Sequence, residues 1–462
     1  MLPASQLPAT RFPGSRLGSG RARHTRRALA AASAVLVTVA VTVAVTVAGF
    51  AWPQTAGAAA TTPPGAYAYV ANASSNTVSV IDTGSDTVIA TVPVGVAPVG
   101  VAAAADGKRV YATNSTSGTV SVIDTASQAV VATIPVGTQP QAIAVAPNGM
   151  HAYVGNDAAG SVSIIDTATD TVTATVAAGP GAEGVAVSPD GTRVYASNTG
   201  SSSISVIDTA SAALIATVPV GSTPVGLTVA PDGRHVFVPC FNGGTVAIVD
   251  TATDTTTATI PVGGHPHSVA LTADGSKAYV TDSGDNTVTV IDTTSDTVSS
   301  TFTVGTAPHG IALTIAPDGS HAYIADYGAA SVSVADLNTD TVTATIAVGS
   351  HPVYIAVSTI KPSPTTLTAG SAGLSLLPLG EHGLNATLTS GGAPVAGQSV
   401  AFTAVNGFPL CSATTNASGK AVCNTAPGLL PTVGILLNGY NAAFTGSVYY
   451  LPSTAHGTTH LL

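Results

Sequence analysis

One block of sequence recurs along most of this chain, and its spacing restricts the fold more than any other property. A representative copy runs Tyr195-Ala-Ser-Asn198, then Ile204-Ser-Val-Ile-Asp-Thr209, then Ile215-Ala-Thr-Val-Pro-Val-Gly221. The opening Tyr, once replaced by Phe, stands at 69, 111, 153, 195, 237, 279 and 323. The Asp stands at 82, 124, 166, 208, 250, 292 and 336, and the closing Gly at 95, 137, 179, 221, 263, 305 and 349. The step is 42 residues five times and 44 once. A fixed period of this length belongs to solenoids, propellers and arrays, whose units bury their apolar faces only against one another.

Each period holds four short strand-like runs, such as Gly184-Val-Ala-Val187, Val194-Tyr-Ala-Ser197, Ile204-Ser-Val-Ile207 and Leu214-Ile-Ala-Thr-Val218. Asp-Gly or Asn-Gly pairs at 106, 148, 190, 232, 274 and 318 separate the first two runs and predict type I′ hairpins. Four antiparallel strands in about 40 residues make one propeller blade. The chain enters the array at Tyr67-Ala-Tyr69 with no first strand before it, and Val353-Tyr-Ile-Ala-Val357 is a first strand with no blade after it. The two ends must therefore complete one blade. The prediction is seven blades closed by mixing the ends, which removes the exposed edges that template aggregation.

Tyr69-Val-Ala-Asn72 and Tyr279-Val-Thr-Asp282, with Ile-Asp-Thr and Val-Pro-Val-Gly, resemble the YVTN-type β-propeller repeat of bacterial and archaeal cell-surface proteins. The resemblance covers residues 66–358 and implies an all-β, seven-bladed propeller. A fold of this kind hosts many activities, so function has to be read from the site. The repeated Asp begins the turn after the third run, where its carboxylate can accept from backbone N–H groups. A second carboxylate follows four residues later at Asp86, Asp170, Asp254, Asp296 and Asp340, but Gln128 and Ala212 occupy two of the places. Two carboxylates fall short of the ~6–8 oxygens that calcium takes, so these are read as turn residues.

The flanking segments differ in composition. Residues 1–58 carry six Arg and no acid, and Ala28 to Trp52 is uncharged and largely apolar. This reads as an export signal ending near Ala56-Gly57-Ala58, with Thr25-Arg26-Arg27-Ala28-Leu29 resembling a twin-arginine signal. An uncleaved leader of this length could also anchor the chain in a membrane. Residues 59–65 form a lead-in. Without the leader, 7 basic residues face 23 acidic ones, which argues against nucleic acid and anionic membrane surfaces as partners.

After the linker at 359–364, residues 365–455 read as strands separated by turn residues, a spacing that suits a β-sandwich. Gly392-Ala-Pro-Val-Ala-Gly397, Thr415-Asn-Ala-Ser-Gly419 and the run from Phe444 to Thr454 resemble bacterial Ig-like surface domains. Cys411 and Cys423 flank a hairpin and are expected to pair in an exported protein, leaving Cys240 as the odd thiol. Leu451-Pro-Ser-Thr-Ala455 resembles a sortase signal but lacks the following apolar span, so it is read as the end of a strand. Residues 456–462 are read as a tail.

Chemistry has few places to reside. Glu183 and Glu381 are the only glutamates, and there is no Walker loop, Gly-x-Ser-x-Gly or His-Glu-x-x-His. Superposing the repeats exposes one departure. The residue after the Pro at the start of the innermost strand reads Val99, Gln141, Glu183, Val225, His267, His309 and Val353; the residue before it includes His265 and His351. The position closing the second strand reads Asn72, Asn114, Asn156, Asn198, Cys240, Asp282 and Asp326. In a four-stranded meander both columns lie at the same end of the blade. His, Asp and Cys gathered there are candidate metal ligands or an acid–base pair.

Pro266-His-Ser-Val and Pro308-His-Gly-Ile resemble the Pro-His-x-Ile strands of streptogramin lyases, which are also seven-bladed. That resemblance implies His267 and His309 as catalytic residues, with Asp282 and Asp326 near a divalent metal. Where the lyase strand continues Trp-Phe-Thr-Glu, this chain has Tyr279-Val-Thr-Asp282 and Tyr323-Ile-Ala-Asp326. The favoured expectation is an exported cell-surface or secreted protein without catalysis and without a cofactor. It would bind a protein, glycan or cell-wall component through the loop face, with Gln141, Glu183, Cys240, His265 and His351 around the ligand. The alternative is a metal-assisted lyase or lactonase at His267, His309, Asp282 and Asp326.

Overall fold

The computed structural model describes residues 65–314, 320–360, 362–376, 379–424, 439–447 and 449–461. The leader, residues 59–64 of the lead-in and the Asp318-Gly319 turn lie outside the described residues. Seven four-stranded antiparallel sheets occupy residues 65–360, and their innermost strands pack side by side around a closed ring. Blade one combines the two ends of the array: Pro352–Ile360 is its innermost strand, followed outward by Gly65–Asn72, Thr77–Asp82 and Thr87–Pro93. Tyr69 faces Ala356 and Gly65 faces Ile360 in the antiparallel register. The closing strand runs two residues beyond the predicted propeller boundary, to Ile360.

The core lies between blades. The second and third strands bury both faces because each sheet is sandwiched by two neighbours. Tyr69, Val78 and Val80 of blade one meet Val110 and Ile123 of blade two, and Tyr279 and Val288 of blade six meet Ile324 of blade seven. Small β-branched side chains fit such thin layers and hold the pleat. The outermost strands, such as Thr87–Pro93, are exposed along most of their length.

The repeated turn residues have identifiable tasks. The Asp-Gly turns are not type I′: Gly107 adopts φ +70°, but Asp106 stays at negative φ, and the Gly107 amide donates to the Ala104 carbonyl. A type I turn with a left-handed glycine at its end gives this pattern. The Asp after the third strand acts as the turn reading requires. Asp166 Oδ1 accepts from the Ala168 and Thr169 amides at 3.0 and 2.8 Å. In several blades the residue four places later ties its blade to the preceding one. Asp170 pairs with Arg109 at 2.9 Å, Asp254 with Arg193 at 3.1 Å, and Asp86 accepts from the Tyr323 hydroxyl at 2.6 Å.

Beyond Ile360 two sheets share one core. Thr366–Ala369, Leu384–Ser390, Ala393–Pro394 and Lys420–Cys423 form the first. The second orders Leu379–His382, Ser371–Leu376, Ser453–Leu461, Tyr440–Phe444, Ser399–Ala404 and Pro409–Thr414. Leu384, Leu388, Val400, Phe402 and Phe444 fill the space between them. The Cys411–Cys423 disulfide joins a strand of one sheet to a strand of the other. The expected tail and strand end are corrected here: Ser453 begins a nine-residue strand that reaches Leu461. Tyr449 docks this module on blade two. Its hydroxyl accepts from the Ala126 amide at 3.0 Å and meets Asp124 Oδ2, Thr125 Oγ1 and the Lys108 carbonyl within 3.1 Å. No helix among the described residues is long and apolar enough to cross a membrane.

Candidate functional site

The innermost strands start, and the second strands end, at one mouth of the ring, because Pro98 faces Asn114 and Pro266 faces Asp282 in the register. The Asp-Gly turns and the Tyr449 contact lie at the opposite end, where Arg109 faces Asp124. The C-terminal module therefore docks at the end away from this mouth.

The mouth is uneven. His267 and His309 stack with centroids 4.0 Å apart and planes 15° off parallel. Tyr327 stacks on His309 at 4.3 Å, and His351 leans on Tyr327 at 4.6 Å. At the other end Phe241 meets His267 edge-on at 6.4 Å and stacks on His265 at 4.5 Å. Six rings thus form an arc across blades five, six, seven and one. His265 and His351 are exposed, His309 is half-buried, and His267 is only 8% exposed. Burial and the His309 imidazole beside it hold His267 well below the ordinary histidine range; burial alone takes His309 down to about 4. Both rings are therefore neutral at pH 7.

Glu183 and Gln141 line the channel on blades four and three, both half-buried. Burial, with a smaller contribution from Asp157, pushes the Glu183 carboxyl up to about 7. Tyr354 projects into the channel from the closing strand, 5.8 Å from the His267 ring centroid.

The Asn column turns inside the blades. Asn72, Asn114 and Asn198 donate from Nδ2 to a Ser or Thr hydroxyl on the third strand, as in Asn72 to Ser79 Oγ at 2.9 Å. Asp282 and Asp326 occupy the same sites with the bond reversed. Thr289 donates to Asp282 Oδ2 at 2.6 Å, and Ser333 to Asp326 Oδ2 at 2.8 Å. Burial pushes both carboxyls up to about 6. Cys240 fills the equivalent place in blade five as a fully buried free thiol, and burial raises its pKa. These side chains pack on the closing Gly of the preceding blade; a Cβ on Gly349 would lie 2.6 Å from Asn72 Cγ.

His267 and His309 are thus brought together, but Asp282, Asp326 and Cys240 do not join them as a ligand set. Among the described residues no three His, Cys, Asp or Glu are placed to hold one metal ion. The in-plane lone pairs of two parallel imidazoles also run side by side rather than converge on the ~2.0–2.1 Å that zinc requires. The arrangement offers neutral imidazole edges, ring faces and one weakly acidic carboxyl. Phe241 and Tyr327 were missed in the sequence. They follow the Asn column by one position, where the other blades have Ala73, Ser115, Asp157, Thr199 and Ser283.

Clefts between blades also open on the opposite face. One is lined by Asp106, Arg109, Tyr111 and Thr167, another by Asp190, Arg193, Tyr195 and Thr251. These are equivalent positions of different repeats, so the clefts follow from the blade architecture.

Residues 125–262, from the outer part of blade two through blade five, match the family model described as lactonase, 7-bladed beta-propeller. No curated protein matches the chain. Among solved structures, Kuenenia stuttgartiensis hydrazine synthase is 25% identical with a TM-score of 0.53, over 58% of this chain and 91% of that one. A functionally unknown protein from Desulfotomaculum acetoxidans is 18% identical with a TM-score of 0.56, over 63% and 99% of the two chains. A putative 6-phosphogluconolactonase from Bacteroides uniformis is 17% identical with a TM-score of 0.54, over 63% and 99%. The similarities agree on a β-propeller.

Proposed function

We propose that this chain is an exported, cell-surface or secreted binding protein, built as a YVTN-type propeller carrying an Ig-like module. It recognises an extracellular protein, glycan or cell-wall component at the channel mouth. The observation that carries this reading is the six-ring arc. In an otherwise uniform array, Phe241, Tyr327 and four histidines gather on one sector of one face, and the C-terminal module docks on the other. Rigid blades presenting variable loop-end residues suit recognition, and aromatic side chains dominate binding energy at such surfaces. The Cys411–Cys423 disulfide is compatible with an oxidising, extracellular setting. The test is binding of the full chain to purified cell-wall polysaccharide and to immobilised extracellular glycans and proteins. Saturable binding that Phe241→Ala and Tyr327→Ala weaken at least about tenfold is expected; binding indifferent to both would overturn the reading.

A second reading, opening of a lactone or ester, is favoured by the lactonase-model match and by Glu183, whose carboxyl near 7 suits general acid–base work at neutral pH. It predicts turnover of simple lactones or activated esters that Glu183→Gln abolishes. Turnover unchanged in that variant would sink it.

A further inference from the structure

We propose that the cleft between blades five and six, at the end of the ring away from the channel mouth, binds a guanidinium group carried by another molecule. That group takes the place which an arginine of the chain itself fills in two sister clefts. The site is independent of the binding face described above.

The residues that begin the second strands read Tyr67, Arg109, His151, Arg193, His235, Lys277 and His321. Arg109 reaches from blade two into the cleft with blade three. Its Nη1 donates to the Thr167 carbonyl and to Asp170 Oδ1, both at 2.9 Å. Arg193 does the same between blades four and five, donating to the Thr251 carbonyl at 2.7 Å and to Asp254 Oδ1 at 3.1 Å. A carboxylate and a backbone carbonyl on the turn of the following blade thus form a two-acceptor clasp for a guanidinium.

Between blades five and six the clasp is present and its donor is missing. Thr293 and Asp296 stand at the places of Thr167 and Asp170. Asp296 has φ +52°, matching +54° at Asp170 and +52° at Asp254, so the turn backbone is the same. His235 replaces the arginine, and Phe237 replaces the tyrosine that has a hydroxyl in the other blades. Every other carboxylate of this column has a side-chain donor. Arg109 serves Asp170, Arg193 serves Asp254, the Tyr323 hydroxyl serves Asp86 at 2.6 Å, and the Ser300 hydroxyl serves Asp340 at 2.6 Å. The carbonyls three places earlier, at Thr83 and Leu337, also accept from tyrosine hydroxyls. Among the described residues, Asp296 and the Thr293 carbonyl accept from no side chain. Asp296 is accordingly exposed, whereas Asp170 and Asp254 are half-buried.

The cleft has room and the right charge. Its cavity measures about 210 Å³ and is lined by Asp232, His235, Phe237, Asp274, Thr293 and Asp296 among others, with no Lys or Arg. One water needs roughly 10–15 Å³ of such space, so a guanidinium fits together with the methylenes that carry it. The Thr272 hydroxyl, with the Ser276 amide and hydroxyl, holds the Asp274 carboxyl down to about 2, so it is ionised at neutral pH. Phe237 adds an aromatic wall, which attracts cations. A divalent metal fits less well, because among the described residues no three His, Cys, Asp or Glu converge on one point.

The experiment titrates the full chain at low ionic strength with N-acetylarginine methylamide and with ethylguanidinium, using calorimetry for affinity and the His235 ring signal by NMR for location. Both should bind saturably and shift that signal; N-acetylcitrulline methylamide, the uncharged isostere, should do neither. Tighter binding of the capped arginine assigns the group to a protein's arginine, and tighter binding of ethylguanidinium to a small compound. Asp296→Asn keeps a residue that tolerates the left-handed backbone and should weaken binding about tenfold or more. His235→Arg, which restores an internal arginine, should abolish the calorimetric signal. No saturable binding of either guanidinium compound, equal binding of the citrulline compound, or affinity unchanged in Asp296→Asn would overturn the proposal. A His235 shift produced by calcium and by neither guanidinium compound would also overturn it.

Discussion

Replacing Asp282 and Asp326 together by asparagine isolates the energetic consequence of the one change that sets blades six and seven apart internally. Both carboxyls are fully buried, and burial pushes each up to about 6 from an ordinary 3.8, against the opposing hydroxyl donors. Between these two values the folded protein binds more protons than the unfolded chain. The contribution of each aspartate to stability is therefore full below about pH 4 and is lost as pH rises through about 6. At about 1.4 kcal/mol per pH unit, each costs about 3 kcal/mol at pH 7.5, and about half of that at pH 5. Asparagine abolishes the ionisation and fits, since Asn72, Asn114 and Asn198 already donate to the same hydroxyl positions in sister blades. Other groups contribute to the wild-type profile. His267 and His309, with lowered values, lose stability as pH falls through the ordinary histidine range, while Glu183 acts in the same direction as the aspartates. The decisive quantity is therefore the variant minus the wild type at each pH, from guanidinium unfolding followed by circular dichroism at pH 7.5 and 5.0. The double variant should be more stable at pH 7.5, with an advantage that shrinks at pH 5.0. A variant less stable at pH 7.5, or an advantage equal at both, refutes the reasoning.

Gly263→Ala should lower the thermal midpoint by overpacking of about 1–3 kcal/mol, since its Cβ would fall 2.6 Å from Asp282 Cγ; adding Asp282→Ala should restore part of the loss, and no interaction between the two would count against the contact. Reducing Cys411–Cys423, which are 12 residues apart, should cost the C-terminal sheets about 2–3 kcal/mol. Hydrogen exchange should accelerate there and not in the blades. Tyr449→Phe should loosen the module by about 1–3 kcal/mol, read as faster proteolysis near residues 361–365 and a larger radius of gyration; unchanged values would remove Tyr449 from the docking role.

The repeat made the propeller legible because each blade is a local, periodic unit, and the unpaired runs at 67–69 and 353–357 announced the closing strand. Boundaries were less legible. Thr359 and Ile360 read as linker, yet they pair with Ala66 and Gly65. The histidine pair was visible because His267 and His309 interrupt an aligned column. Asp282 and Asp326 interrupt another column at the same end, but sharing an end does not fix direction. The second strand is sandwiched between blades, so its last side chain bonds to the third strand instead of facing the channel. Phe241 and Tyr327 stood one position further on and were open to the same comparison. Tyr354 also interrupts a column of small residues, but what it meets depends on closing the ring and bringing blade five opposite blade one.

The closing strand also decides how the molecule would carry a mechanical load. Gly65 and Ile360 are partners at one end of an antiparallel pair, so tension between the leader side and the C-terminal side acts on adjacent ends. An antiparallel ladder loaded in that way unzips one rung at a time instead of shearing all rungs together. Tyr449 lies in parallel with that route, joining the C-terminal module directly to blade two through Asp124, Thr125, Ala126 and Lys108. Force applied to the module therefore reaches the ring by two paths. The ladder between Pro352–Ile360 and Gly65–Asn72 is spared for as long as the tyrosine holds.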